Sequence, residues 1–356
     1  MIGAGIVGTA AAVFLTEGGA RVTVLERDAV ACAASGRNAG SIQHTLDAVR
    51  APLYDGSVEI YRRVGVLDGP PAGLLAVGTT PEAVRPAAEV GDEFPALAPE
   101  LLEGAALQGA EPALAPGLFG CLLQTGYPAH PAAATRRFAE LARELGATIE
   151  EGVAARPAVE GDRVVGVDTP AGRRHADAVL VAAGPWTSEV VDPAGEWRPV
   201  SALWGVTVQV ALPRAPRHRV EEWQEGIEFG PDGQFEATPL GDVTVLGATR
   251  EPLQPDVDAV APRVRDRAAR FLPAVAQAPT VVARACPRPL SRDGVPLLGP
   301  LPHVEGLHVA TGHGPYGISL GPASSRLAAD AILHGTAVPA AYRADRFGLP
   351  RPARNG

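Results

Sequence analysis

The sequence predicts an α/β protein made of a Rossmann-like dinucleotide-binding domain, its first strand nearly absent, and a second, mainly antiparallel β-sheet domain. Three observations carry that reading. A glycine turn opens the chain, an acid closes the apolar run that follows it, and a cluster of strand-like segments lies over 199–284 with few helix signals between them. At 356 residues the chain is long enough for two domains with a substantial core.

Gly3-Ala4-Gly5-Ile6-Val7-Gly8 has G-x-G-x-x-G spacing. In such a turn the first glycine permits a tight bend, the second lets backbone approach a pyrophosphate, and the third lets helix pack on strand. Glu26 ends the strand-like run Arg21–Leu25 at the distance where a carboxylate accepts hydrogen bonds from an adenosine ribose, with Arg27 beside it. The motif normally hangs from a central strand, yet only Met1 and Ile2 precede it. Either that strand begins upstream of these residues or the sheet is completed in another way.

Helix is expected over Ile6–Thr16, ended by Gly18-Gly19. Residues 32–44 have loop chemistry, and Ser35, Arg37, Asn38, Ala39 and Gly40 are placed to reach across a pyrophosphate. Helix spacing over 46–64 is interrupted by Pro52 and Gly56, strand follows at Gly73–Val77, and no element is expected over 78–126. Pro131 suits the first turn of a helix that Gly146 stops. Strands are then expected at 147–150, 163–168 and 178–181, the last running into Ala182-Ala183-Gly184-Pro185-Trp186. Beyond it come strands at 206–212, 226–229 and 243–247 and a helix over 257–271. The divisions are 1–72, 127–198 and 285–340 for the nucleotide domain, 73–126 and 199–284 for the substrate domain, and 341–356 for a tail.

Net charge is −9, which leaves no basic footprint for nucleic acid or an anionic membrane surface. No apolar run matches a spanning helix and no signal peptide is apparent, so the expected location is cytoplasmic. All 31 basic residues are arginine, which removes Schiff-base, pyridoxal-phosphate and Walker-type lysine chemistry. Cys32, Cys121 and Cys286 are widely spaced and give no metal or disulfide pattern.

A second glycine turn, Gly312-His313-Gly314-Pro315-Tyr316-Gly317-Ile318, opens a helix that runs to Leu333. Two helix starts in one chain, each aiming amide N–H groups at what lies above, suit the two ends of one long cofactor. With Ser35–Gly40, Ala182–Trp186 and Arg288-Pro-Leu-Ser-Arg-Asp-Gly-Val-Pro-Leu-Leu-Gly299, these segments resemble the D-amino-acid oxidase family of FAD enzymes, in its glycine oxidase, sarcosine oxidase and D-amino-acid dehydrogenase branch.

The resemblance implies bound FAD and an amine or amino-acid substrate whose carboxylate is gripped by Arg288, with His44, His313 and Tyr316 near the chemistry. Cys286 falls where one branch attaches flavin through sulfur; non-covalent FAD is the preferred reading and a covalent link the alternative. Pro315 replaces an arginine common in glycine oxidases, and the lysine that assists oxygen activation in the sarcosine-oxidase branch has no counterpart here. The electron acceptor is therefore left as oxygen, a quinone or another carrier. Glu228 is a candidate for binding a cationic group. A 2-hydroxy-acid dehydrogenase and a flavin-fold protein without activity are the competing functions.

Overall fold

The computed structural model describes residues 1–223 and 233–348; the strand expected at 226–229 and Glu228 lie outside them. The first part of the chain runs α1 (Ile6–Glu17), β1 (Thr23–Leu25), α2 (Ala34–Arg37), β2 (Ser41–Ile42), α3 (Ala51–Arg63), β3 (Leu74–Gly78), α4 (Pro81–Glu93), β4 (Glu100–Glu103), α5 (Gly104–Ala110) and β5 (Phe119–Leu123). It continues with β6 (Tyr127–Pro128), α6 (Pro131–Glu144), β7 (Thr148–Glu150), β8 (Arg156–Glu160), β9 (Arg163–Thr169), β10 (Gly172–His175), β11 (Val179–Val181) and α7 (Thr187–Val191). The last part is β12 (Val200–Val210), β13 (Arg219–Glu222), β14 (Glu236–Leu240), β15 (Val243–Gly247), α8 (Val257–Phe271), β16 (Thr280–Ser291), β17 (Leu297–Pro300), β18 (Leu307–Thr311) and α9 (Gly317–His334).

In the structure Ile2 stands at the place of the first strand: it bridges Leu25 of β1 on one side and Val181 of β11 on the other, both in parallel. Its amide donates to Leu180 O (2.9 Å), its carbonyl accepts from Ala182 N (2.8 Å), and Gly3 N donates to Leu25 O (2.9 Å). The order is therefore β7–β1–Ile2–β11–β18–β17, parallel but for the antiparallel edge β17, and a single residue does the work of the central strand. Above this sheet α1 packs on α6 and α9. Ala10, Ala11 and Ala12 are fully buried, so their small size sets how close the helices come.

The second sheet has eight strands in the order β16–β12–β15–β14–β13–β3–β5–β4, antiparallel except where β13 meets β3. Val260, Val264, Ala268 and Phe271 of α8 close one face of it, with Phe271 stacked on Phe235 at 4.6 Å. β12 and β16 pair along nearly their whole lengths, and β16 stays in this sheet through Ser291. A small antiparallel sheet, β8–β9–β10, completes the architecture. Among the described residues no helix is long and apolar enough to cross a membrane.

Several local expectations change. Pro52 does not interrupt a helix but stands in the first turn of α3, where its missing N–H is harmless. Residues 78–126 hold α4, β4, α5 and β5: α4 starts at a Thr80 cap that accepts from Ala83 N (3.3 Å), with Pro81 next, and β4 and β5 extend the large sheet. The loop over 32–44 contains the short α2 and the two-residue β2.

Gly8 is where fold and glycine motif meet, since a Cβ there would stand 2.0 Å from Gly3 O. Gly8→Ala should lower stability by about 2–3 kcal/mol, read as a lower thermal midpoint with and without FAD. An unchanged midpoint would show that the turn relaxes freely.

Candidate active site

Two cavities meet between the sheets. The first, about 1250 Å³, runs from Glu26, Arg27 and Asp28 past the start of α1 to His313, Gly314, Pro315 and Gly317 at the start of α9. The second, about 1730 Å³, is a chamber facing the large sheet. Asn38, Cys286, Arg288, Pro315 and Ile318 line both, so these five residues form the junction.

The groove is cut by glycine. Gly3 takes φ +101° and a Cβ on it would meet Ala182 O at 2.5 Å, whereas a Cβ on Gly5 would meet Ser35 Oγ at 2.9 Å. Gly5 caps α1 without a side chain, leaving the positive end of the helix turned to the groove. Ile6 and Val7 line it as well, while Gly8 is buried beneath the turn. Ser35 Oγ accepts from Ile6 N at 2.9 Å, so α2 is docked on the start of α1. Glu26 holds the turn itself: its carboxylate accepts from Ala4 N (2.8 Å) and Asp28 N (2.9 Å). Glu26, Asp28 and Cys32 also bring ligand atoms within 4.8 Å of one another, but both oxygens of Glu26 are already engaged by these amides.

Arg27 lies over the Trp186 ring at 4.9 Å, beside the backbone of Ala183 and Gly184. Asn38 ties its loop by donating to Ala34 O (3.1 Å) and accepting from Gly40 N (2.8 Å). Ala39 and Gly40 belong to the chamber wall. Arg37 is exposed and lines neither cavity; its carbonyl accepts from Thr207 Oγ1 at 3.4 Å.

At the other end Gly312 (φ +82°) and Gly314 (φ +54°) bend the chain into α9. Gly312 supports the turn from outside the cavity, with Leu297 Cδ1 2.8 Å from where a Cβ would lie. His313 is buried against the groove, its Nε2 has no partner, and burial pulls its pKa down to about 4, so the ring is neutral. Tyr316 faces the chamber under the Arg50 guanidinium, 4.7 Å from its ring. His44 is not part of the site. Its Nδ1 accepts from Leu46 N (3.1 Å), Tyr54 and Phe94 meet it edge-on, and it lines neither cavity, because its loop turns the ring into the core.

Arg288 stands at the junction. Its guanidinium occupies the space left by Gly205, where a Cβ would come within 2.3 Å of Nη2, and Nη1 donates to Thr249 O at 2.9 Å. Asp293 does not pair with it; that carboxylate binds Arg346 at 2.8 Å. Among the described residues no carboxylate pairs with Arg288. The sequence reading missed Thr45, Asp47, Arg50, Arg219, Glu221, Trp223, Glu236 and Arg250, all of which line the chamber. For Arg219 and Glu221 a signal existed in their i, i+2 spacing on one strand face.

The whole length from residue 1 to 331 matches the DAO family, described as FAD dependent oxidoreductase. This chain belongs to that family. It is 36% identical over 176 residues to a glycine oxidase of Pseudomonas aeruginosa, a match covering 48% of this chain and 46% of that one. It is 27% identical to the uncharacterized oxidoreductase YurR of Bacillus subtilis over 90% of this chain and 91% of the other. The glycine oxidase match thus spans about half the relative's length. Among solved structures, glycine oxidase from Bacillus cereus superposes with a TM-score of 0.81 at 25% identity over 94% of each chain.

The groove fits the family's FAD. Gly5 leaves a cradle at the start of α1, the orphaned His313 Nε2 waits at the start of α9, and the two helix ends share one continuous cavity. The start of α1 would hold the pyrophosphate, Glu26 and Arg27 would lie at the adenosine end, and the junction would take the redox-active ring. Cys286 is unsuited to attachment: burial pushes its thiol pKa up and its Sγ points to Ala34 O at 3.8 Å. Denaturing the FAD-loaded protein should release all flavin into the supernatant; a yellow precipitate retaining flavin would show a covalent link.

Proposed function

We propose that this chain oxidises the C–N bond of a small amino acid or N-substituted amino acid, with the substrate carboxylate on Arg288. The observation that supports this is the position of Arg288: a guanidinium without a carboxylate partner among the described residues, held by a backbone carbonyl, at the point where groove and chamber meet. A planar guanidinium recognises a carboxylate by two parallel hydrogen bonds, which fixes the α-carbon in one orientation. FAD, when bound, supplies the hydride acceptor for conversion of the amine to an imine, whose hydrolysis gives an oxo acid and ammonia or an amine.

The protein's part is positional and electrostatic. Arg288 holds the carboxylate, Gly205 gives its guanidinium room, and Thr249 O sets its angle. Tyr316 and Ile318 form a wall of the chamber beside it. No protein base is needed for an amine that binds neutral. A hydroxy acid, by contrast, needs a group to take its hydroxyl proton; none of the described chamber-lining residues is a histidine, and His313, on the groove side, is a weak base because burial pulls its pKa down to about 4. This favours the amine over the hydroxy-acid reading.

Arg288→Ala should raise KM for carboxylated amines by about 10- to 100-fold while the flavin spectrum stays unchanged, the loss expected for a charge-assisted hydrogen bond. Gly205→Ala, which displaces the same guanidinium, should reproduce part of that loss. Full activity of Arg288→Ala on a carboxylated amine, or turnover confined to hydroxy acids, would overturn the assignment.

A further inference from the structure

The far end of the chamber, away from Arg288, is built from one strand face and one loop. Arg219, Glu221 and Trp223 alternate along β13 and the residue after it, so all three turn to the chamber. The loop that follows β2 meets them: Gln43 hydrogen-bonds Glu221, and Leu46 packs with Trp223 on one apolar cluster. Thr45 lies between those two contacts in the chain and lines the chamber with them. Arg219 and Thr45 are each only 4% exposed.

Three buried polar atoms at this end have no hydrogen-bond partner: Arg219 Nε, Trp223 Nε1 and Thr45 Oγ1. The first two are N–H groups that can only donate, and the hydroxyl can donate as well. A buried donor left without a partner costs stability, and a ligand that supplies an acceptor recovers it. This end therefore calls for an oxygen acceptor. An ammonium or guanidinium would meet these groups donor to donor.

Charge decides which kind of acceptor fits. Among the described lining residues, Arg50, Arg219, Arg250 and Arg288 outnumber Asp47, Glu221 and Glu236 by one charge. Arg50 pairs with Asp47 at 2.7 Å, and Arg219 Nη2 is shared by Glu221 at 2.9 Å and Glu236 at 3.2 Å. Arg250 lies toward the other pole, where burial and then Arg288 pull its pKa down to about 10. A substrate carboxylate on Arg288 thus balances the chamber, and a second carboxylate would leave an uncompensated negative charge near two acids. The acceptor at the far end is therefore neutral. Among the described residues nothing donates to Glu236 Oε1, so the same ligand group gains by carrying N–H of its own. A carboxamide has both halves, a carbonyl oxygen for the orphaned donors and an NH2 for Glu236.

Building on the proposed amine oxidation, we propose that Arg219, Trp223 and Thr45 form a subsite for a carboxamide at the end of the substrate's side chain. Its length follows from the sheet. Gly205, under the Arg288 guanidinium, is on β12, and Glu236 is two strands away on β14, about 10 Å at the usual strand separation. Hydrogen bonds of about 3 Å at each end leave about 4 Å for the ligand, the reach of a side chain with one or two methylenes. The substrate class is then an amino acid whose short side chain ends in a carboxamide, bound carboxylate to Arg288 and amide to the β13 face. Acidic amino acids are the competing class.

The test titrates the FAD-loaded protein by calorimetry with 5-amino-5-oxopentanoate, glutarate and pentanoate, none of which has an α-amine. The monoamide should bind about tenfold more tightly than pentanoate, as expected when buried donors gain a partner, and more tightly than glutarate. Trp223→Phe keeps the ring and removes its N–H; it should cut the monoamide's advantage over pentanoate by about threefold. The thermal midpoint without ligand should not fall, since that donor has no partner to lose. Thr45→Val should cut the same ratio, and Glu236→Gln, which removes one negative charge, should narrow the gap between glutarate and the monoamide. Equal binding of monoamide and pentanoate would overturn the subsite, as would tighter binding of glutarate or a ratio unmoved by both Trp223→Phe and Thr45→Val. Arg288→Ala should weaken all three ligands alike and leave the monoamide's advantage in place, so a failure at that pole is read separately. If neither enantiomer of glutamine or norvaline reduces the flavin, the proposed oxidation fails, but the binding ratio still decides the subsite.

Discussion

Ile2 is the residue on which the nucleotide domain depends. Hydrogen-bonded on one side to Leu180 and Ala182, with Met1 and Gly3 hydrogen-bonded to β1 on the other, it joins two half-sheets that otherwise do not touch in the strand order. Gly3 leaves this pairing at φ +101° and carries the chain at once into Gly5 and α1. The start of α1, the Ala182–Trp186 wall and Glu26 are therefore set by one junction, and all three line the groove.

The same economy places the substrate end. β12 and β16 run side by side from the large sheet to the nucleotide domain, so Cys286 and Arg288 of β16 arrive at the groove while the rest of the sheet roofs the chamber. Gly205 on β12 is the local consequence: a side chain there would occupy the Arg288 guanidinium. Fold and site are coupled through glycines that exclude side chains and through one long strand pair.

What the sequence disclosed follows from how local its signals are. The glycine turns at Gly3–Gly8 and Gly312–Ile318, Glu26, and Arg288 are legible because each acts through its own backbone conformation or its own charge. The role of Ile2 was hidden, since a strand of one residue has no periodicity and exists only through its neighbours. His44 was misread because a histidine looks the same whether its ring faces a cavity or Phe94. The acid pair of Glu221 and Glu236 lies on strands paired across a connection, so nothing in the local sequence brings the two together. The short Arg219–Glu222 strand carries charges of the kind a solvated face carries, whereas in the fold Arg219 and Glu221 are buried.

The central claim is that groove and chamber form one working site, with the flavin ring at their junction and Arg288 beside it. It is tested most directly by titrating the FAD-loaded protein with a non-reactive carboxylate while recording both heat and the visible flavin spectrum. Saturable heat accompanied by a matching shift of the flavin band is the expected result, because a carboxylate on Arg288 would lie against the ring. Saturable heat with an unperturbed flavin band would contradict it, since the carboxylate would then bind away from the cofactor.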